Sequence, residues 1–151
     1  MLEIQGMAGH LIRRLNQISV SIFTERMAAA GHDITAVQYA ALSAIKASAG
    51  IDQATLAGQI AYDRATIGGV VDRLVQKGLV DRQVSRKDRR ARELRLTEAG
   101  ETLVDKLTPL VWALQRDILG GLSDEEAEQI LALLKKATEA GNELSRAPLR
   151  L

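Results

Sequence analysis

After Gly78 the spacing of apolar residues in this chain changes character. Before that glycine, hydrophobic residues recur three and four apart, the period of one helix face. Beyond it, "LVDRQV" and "ELRL" alternate with a period of about 2, which sends successive side chains to opposite faces of a strand. The two runs enclose "SRKDRRAR", so they predict a β-hairpin with a long basic loop. The helix that ends at Gly78 is the second of a close pair. Asp52 is placed to cap a short helix that turns Leu56 and Ile60 inward, "AYD" forms a turn, and Asp63 caps a second helix to about Lys77. Two short helices joined by a tight turn and followed by a basic hairpin make a winged helix-turn-helix.

Long helices flank this unit. From Gly9 to about Ala30 the residues Leu11, Ile12, Leu15, Ile18, Ile22 and Phe23 form one amphipathic stripe, and Gly31 is placed as its C-terminal cap. Thr35 caps a helix to about Ala47 that buries Val37, Ala41, Leu42 and Ile45. Beyond the hairpin, Thr97 caps a helix to about Leu119, within which Pro109 removes an amide donor and is a site for a kink. "GGL" breaks the chain, Ser123 and Glu126 form a capping box, and the last helix buries Ile130, Leu131, Leu133 and Leu134 before fraying near Arg146. The expected fold is mostly α with a small β-hairpin wing. It reads as one intertwined domain: residues 1–34 an N-terminal dimerisation helix, 35–97 the DNA-binding lobe, and 98–151 the C-terminal dimerisation helices. Leu103, Leu107, Leu110, Val111, Leu114 and Ile118, with the stripe of the last helix, need a partner surface. A homodimer is the simplest closed solution.

Charge is distributed unevenly. Residues 1–63 carry four basic and five acidic side chains, residues 64–97 ten and four, and residues 98–151 six and ten, so a formal total of +1 conceals a central block of +6. Half of the basic residues sit in under a quarter of the chain, which is the electrostatic footprint of a nucleic-acid surface. The function classes that the sequence excludes narrow the field further. No run approaches the roughly 18 apolar residues of a membrane helix, and no secretory signal precedes the first helix, so a cytoplasmic protein with no membrane partner is expected. With no cysteine and two histidines there is no metal-spaced cluster, and neither a nucleophile motif nor a phosphate loop is present. Neither enzyme activity, metal nor cofactor is expected. Acidic pairs such as Asp124 and Glu125 fall at a helix start, where the macrodipole accounts for them.

In the helix after Asp63, Ile67, Val71 and Leu74 share one face by helical spacing and belong to the core, while Ala65, Thr66, Gly69, Asp72, Arg73 and Gln76 share the other. Arg64 and Thr66 lie near its N-terminus, where recognition helices meet base edges and where the dipole favours phosphate. Gly68 and Gly69 are costly inside a helix, which leaves two readings: close approach to a groove wall, or tight packing on a neighbouring helix. Arg73 likewise suits a phosphate or an intrachain pair. In the hairpin loop, Ser85, Arg86 and Lys87 suit backbone phosphates. Asp88 is the one acid among these cations and reads as a brace, paired with Arg82 across the ladder, which leaves Arg89 or Arg90 free to enter a narrow A·T-rich minor groove. A solvated charge run is the alternative reading of the loop.

"ITAVQYAAL", "QATLAGQIAYDRATIGGVVDRLVQKGLVDR" and "KDRRARELRLTEAG" resemble the MarR family of bacterial transcription regulators, from about His10 onward. The resemblance implies a dimeric winged-helix fold, binding to double-stranded DNA at a palindromic operator, and repression relieved by a small ligand. It carries Asp88 and Arg90 over as the bracing acid and minor-groove arginine of the wing, and places Arg64, Thr66 and Arg73 in the recognition helix. The lack of cysteine removes the organic-peroxide-sensing branch. "GHLIRRLNQ" with "TAVQYAAL" is similar to the branch that controls aromatic-compound catabolism, where the residue matching Arg13 holds a ligand carboxylate. That implies a small aromatic acid, or its coenzyme A thioester, as effector.

Independently of the resemblance, Arg13 and Arg14 are adjacent cations in an apolar segment, and a partly buried guanidinium favours a bidentate anion. An intersubunit salt bridge is the competing role for Arg13. His10 lies one turn from Arg14 and is placed to join the site, and Tyr39 is placed to add a ring and hydroxyl; packing is the alternative for both. Against the regulator stand two other classes: a winged helix used for protein contacts alone, and an enzyme acting on an aromatic acid.

Overall fold

In a computed structural model, which describes residues 2–151, five side chains accept a hydrogen bond from the amide three residues ahead and so start five helices. They are Thr35 (from Gln38, 3.2 Å), Asp52 (from Thr55, 2.8 Å), Asp63 (from Thr66, 2.8 Å), Thr97 (from Gly100, 3.1 Å) and Ser123 (from Glu126, 3.2 Å). Each satisfies one of the amides that a helix leaves without a partner at its start. In the two capping boxes, Gln38 and Glu126 reciprocate to the amides of Thr35 and Ser123.

In chain order the elements are α1 (Ala8–Ala29), α2 (Ala36–Ala47), β1 (Ile51–Asp52), α3 (Gln53–Gln59), α4 (Arg64–Gln76), β2 (Val80–Val84), β3 (Arg92–Leu96), α5 (Glu98–Ile118) and α6 (Asp124–Ala140). Short 3-10 turns at Glu3–Gly6 and Asn142–Leu144 flank the long helices. Gly31 and Gly78 follow α1 and α4 with φ of +82° and +72°, a left-handed conformation that glycine adopts without steric cost. The sheet is antiparallel in the order β1-β3-β2, with Val80 opposite Leu96 and Val84 opposite Arg92. Strand β1 is a feature that the apolar pattern does not announce: Ile51 pairs with Leu94 of β3, and Asp52 serves both as a strand residue and as the cap of α3. Pro109 lies inside α5 and does not end it.

The core of the lobe is aliphatic. Ile67, Val71 and Leu74 of α4 have no exposed surface and close against Leu42 and Ile45 of α2, Leu56 of α3 and Leu94 of β3. Burying an aliphatic side chain of this size contributes roughly 1.5–3 kcal/mol. A second part of the same core joins the flanking helices, where Phe23 and Met27 of α1 meet Leu107 and Leu114 of α5. Arg26 with Asp117 (2.6 Å) and Lys46 with Asp105 add ion pairs from α1 and α2 to α5.

Two expectations about burial change. Leu107 and Leu114 are filled in by the chain's own α1, so the stripe of α5 does not wait wholly for a partner; Leu110 and Trp112 remain exposed. Helix α6 buries none of its residues within the chain: Ile130 is half-buried, and Leu131, Leu133 and Leu134 are exposed. The physical reason is that α6 has no apolar surface of its own chain beneath it. Among the described residues, no helix is long and apolar enough to cross a membrane.

Candidate DNA-binding surface and effector site

The buried stripe of α4 fixes what its other face presents. With Ile67, Val71 and Leu74 turned inward, Arg64, Ala65, Thr66, Gly69 and Arg73 are all exposed. Asp63 starts this helix, and the Thr66 amide and hydroxyl beside it hold its carboxylate below the ordinary range, as Thr55 does for Asp52 at α3. A Cβ added at Gly69 would meet nothing within 4 Å, and one at Gly68 would meet only the Gln53 amide at an ordinary 3.5 Å. Packing on a neighbouring helix of the same chain therefore does not require either glycine. Among the described residues no carboxylate lies within ion-pair distance of Arg73, and its neighbour Asp72 is occupied by Arg82.

The wing is held differently from the sequence reading. Asp88 does not pair with Arg82. Its carboxylate accepts from the Arg90 amide at 3.0 Å and lies 3.4 Å from Arg90 Nε, so it shapes the turn at the tip. Arg82 instead reaches Asp72 of α4 at 2.6 Å and ties strand β2 to the helix. The cause is register: Arg82 stands opposite Leu94, well down the ladder from the loop that carries Asp88. Ser85 is a second correction. It is buried, and its hydroxyl accepts from the Lys87 and Asp88 amides at 3.2 and 3.3 Å, which makes it part of the turn and not of a phosphate-facing surface. Arg86, Lys87, Arg89 and Arg90 are exposed, and the Arg90 side chain is 93% accessible despite its contact with Asp88.

Between α4 and the wing lies a cleft of about 530 Å³, lined among others by Arg64, Ile67, Arg90, Arg92, Asp52 and Gln53. Arg92, Asp52 and Gln53 were not among the expected surface residues. Arg92 was legible as part of the basic run, and its guanidinium donates to the Arg89 carbonyl at 3.1 Å. Asp52 and Gln53 come to the cleft because β1 pairs with β3, with Ile51 opposite Leu94 and Asp52 opposite Glu93.

The four expected ligand residues do not converge within one chain. Arg13 is exposed and bonds along its own helix, to Gln17 at 3.0 Å and to His10 Nδ1 at 3.5 Å. His10 thus meets Arg13 and not Arg14, and the guanidinium of Arg14 is exposed. Tyr39 is half-buried farther down: its hydroxyl is 3.0 Å from Thr108 Oγ1, and its ring is 6.4 Å from that of Phe23. Phe23 lies ten residues after Arg13, about 15 Å along α1 at the rise of a helix. Among the described residues there is no group of three or more histidine or acidic side chains arranged to hold a metal ion.

The fold is one shared with known proteins. The profile of the MarR family matches residues 32–91. The HTH-type transcriptional repressor NicR of Pseudomonas putida is 32% identical over 138 residues, 91% of this chain and 86% of NicR. The PcaV transcriptional regulator of Streptomyces coelicolor, solved in complex with its natural ligand, superposes with a TM-score of 0.83 at 30% identity, covering 93% of this chain and 98% of PcaV. BpsR of Bordetella bronchiseptica, whose DNA binding is regulated by 6-hydroxynicotinic acid, superposes with a TM-score of 0.83 at 29% identity, covering 91% and 97%. With its winged helix and relatives of this length and identity, the chain belongs to the MarR family, whose members are transcription regulators and not enzymes.

Proposed function

We propose that this protein is a dimeric repressor that binds a palindromic operator and is released by a small aromatic carboxylate. One observation carries the DNA-binding part: all three buried residues of α4 face the core, while Arg64, Thr66 and Arg73 face outward beside the cations of the wing. In this reading α4 enters the major groove, Arg86, Lys87 and Arg89 contact phosphates, and Arg90 enters the minor groove at the flank. A dimer places two such helices on half-sites about one helical turn apart. The uncovered apolar residues of α1, α5 and α6, among them Ile12, Trp112 and Leu133, are the surface for the second copy. The test is a titration of operator DNA at several salt concentrations. Log K is expected to fall by about 0.9 per neutralised phosphate on a log[salt] scale, and equal affinity for random DNA would refute the reading. Arg90→Ala is expected to weaken binding most at A·T-rich flanks; uniform loss on all flanks would make Arg90 a phosphate contact.

The effector reading rests on Arg13 and on relatives that respond to ligands. PcaV was solved with a natural ligand and BpsR responds to 6-hydroxynicotinic acid. Arg13, with His10 beside it, offers a guanidinium for a carboxylate, and in this reading the pocket forms only when a second copy is added, since the four residues do not converge within one chain. If the effector binds the DNA-incompetent dimer about 100-fold more tightly, the coupling is about 2.7 kcal/mol. Calorimetry with aromatic acids, with and without operator, tests this. Equal affinity in both states would rule out induction, and undiminished binding by Arg13→Ala would assign Arg13 to an intersubunit pair.

A further inference from the structure

Beyond α6 the chain runs back to the helix-turn-helix. Asn142 turns it: its side chain accepts from the Leu149 amide at 2.8 Å and donates to the Leu149 carbonyl at 3.1 Å. The Arg150 amide then donates to the Gly58 carbonyl of α3 at 2.8 Å, closer than the 3.3 Å of the Ala61 amide on the same oxygen. The Arg150 guanidinium pairs through both terminal nitrogens with Glu143. Arg146 Nη2 lies 3.2 Å from Asp63 Oδ2, on the carboxylate whose other oxygen caps α4. The two contacts bracket the turn between α3 and α4, one before and one after Ala61, whose φ of 55° is left-handed.

Gly58 is an independent sign of the same contact. Glycine is among the least favourable residues in a helix, so one inside α3 needs a cause. A Cβ there would lie 3.0 Å from Arg150 Cβ and 3.3 Å from its Cγ, and would meet nothing else within 4 Å. Among the described residues outside α3 itself, the neighbour that the missing side chain makes room for is this returning segment.

We propose that residues 146–151 are a latch that holds the α3–α4 turn and sets the orientation of α4, with Arg146 and Arg150 as positioning residues. The latch is a link between α6, which buries nothing within its chain, and the helix that faces DNA, so movement of α6 reaches α4 through it. This deepens the DNA-binding reading and rests on α4 being the recognition helix, but its first test uses no DNA.

That test compares the full chain, Gly58→Ala, a chain stopped after Ser145, and the shortened chain carrying Gly58→Ala. In the full chain Gly58→Ala is expected to lower the thermal midpoint, because the new methyl group crowds Arg150 Cβ, which the Arg150 amide holds close through its bond to the Gly58 carbonyl. In the shortened chain it is expected to raise the midpoint, because only the gain in helix propensity remains. The same sign in both backgrounds overturns the latch. Amide exchange at residues 57–66 is expected to quicken at least tenfold in the shortened chain while α2 is unchanged; unaltered exchange also overturns it. For positioning, Arg146→Gln is expected to weaken operator binding about threefold with an unchanged salt slope, and Arg146→Lys to restore it. A slope shallower by about 0.9 would make Arg146 a direct phosphate contact and overturn its positioning role. If the parent protein binds no operator, the DNA-binding reading fails, while the midpoint and exchange tests still decide the latch.

Discussion

At Gly100 the backbone of one segment occupies the place where a side chain of another would sit. The Leu79 carbonyl lies against its α-carbon, and a Cβ there would run into that oxygen. The same carbonyl accepts the Thr97 amide at 3.1 Å, and the Thr97 hydroxyl donates to the Gly78 carbonyl at 2.7 Å, so the start of the wing and the start of α5 are locked together. Gly100→Ala is expected to cost about 1–3 kcal/mol, read as a lower urea midpoint at constant m. Gly69 gives the opposite expectation. Its methyl group would meet open space, so Gly69→Ala is expected to stabilise the isolated protein by up to about 1 kcal/mol while weakening operator binding, measured by thermal melts beside a binding titration. The caps respond to acid. Amide donation from Thr55 and Thr66 holds Asp52 and Asp63 below their unfolded values, so their contribution is complete above about pH 4 and is lost as pH falls through the folded value. A midpoint that is level from pH 7 to about 5 and falls below 4 is expected, with a shallower fall for Asp52→Asn.

Among the elements, β2 of the wing is tied to α4 by a pair of side chains. Arg82 and Asp72 join β2 to α4 at 2.6 Å, but both side chains are substantially solvated, so the pair adds less than about 1 kcal/mol to stability. Its role is to fix an angle. Asp72→Ala is expected to leave the thermal midpoint within a few degrees, yet weaken operator binding and quicken amide exchange in β2 and β3. This pair also marks where sequence reasoning stopped. The helices were legible because a cap and a 3.6-residue period are local signals, and Thr35, Asp52, Asp63, Thr97 and Ser123 all cap as expected. The hairpin was legible from its period and its charge. Strand β1 was not, because two residues display no period and its partner is distant in sequence. Proximity in sequence suggested Asp88 for Arg82, whereas the ladder register brings Arg82 to Asp72. Ser85 looked like a surface hydroxyl because burial at a loop base depends on how the tip folds over it. Of the candidate effector residues, Arg13 rests on a motif, His10 and Arg14 on helical spacing and adjacent charge, and Tyr39 on its chemistry; their placement along α1 and α2 shows that such local signals do not close a pocket.

For the molecule as a whole, α6 is the element that its own chain does not explain. Leu131 and Leu133 remain 58% and 64% exposed, and Trp112 of α5 is 72% exposed. Apolar surface of this kind marks an association site. Leu131→Glu with Leu133→Glu is expected to give monomers by analytical ultracentrifugation and to abolish tight operator binding, and in the parent the thermal midpoint is expected to rise with protein concentration. The same uncovered stripe has a consequence in the living cell. If two copies pair as proposed, a newly made chain that has not met its mate carries an exposed apolar helix of the sort that chaperones hold and proteases cut, so its lifetime would depend on how many copies are present. At low abundance such chains would be cleared faster than they pair, and at high abundance they would persist. The regulator's own expression level would then act as a switch, before any effector arrives.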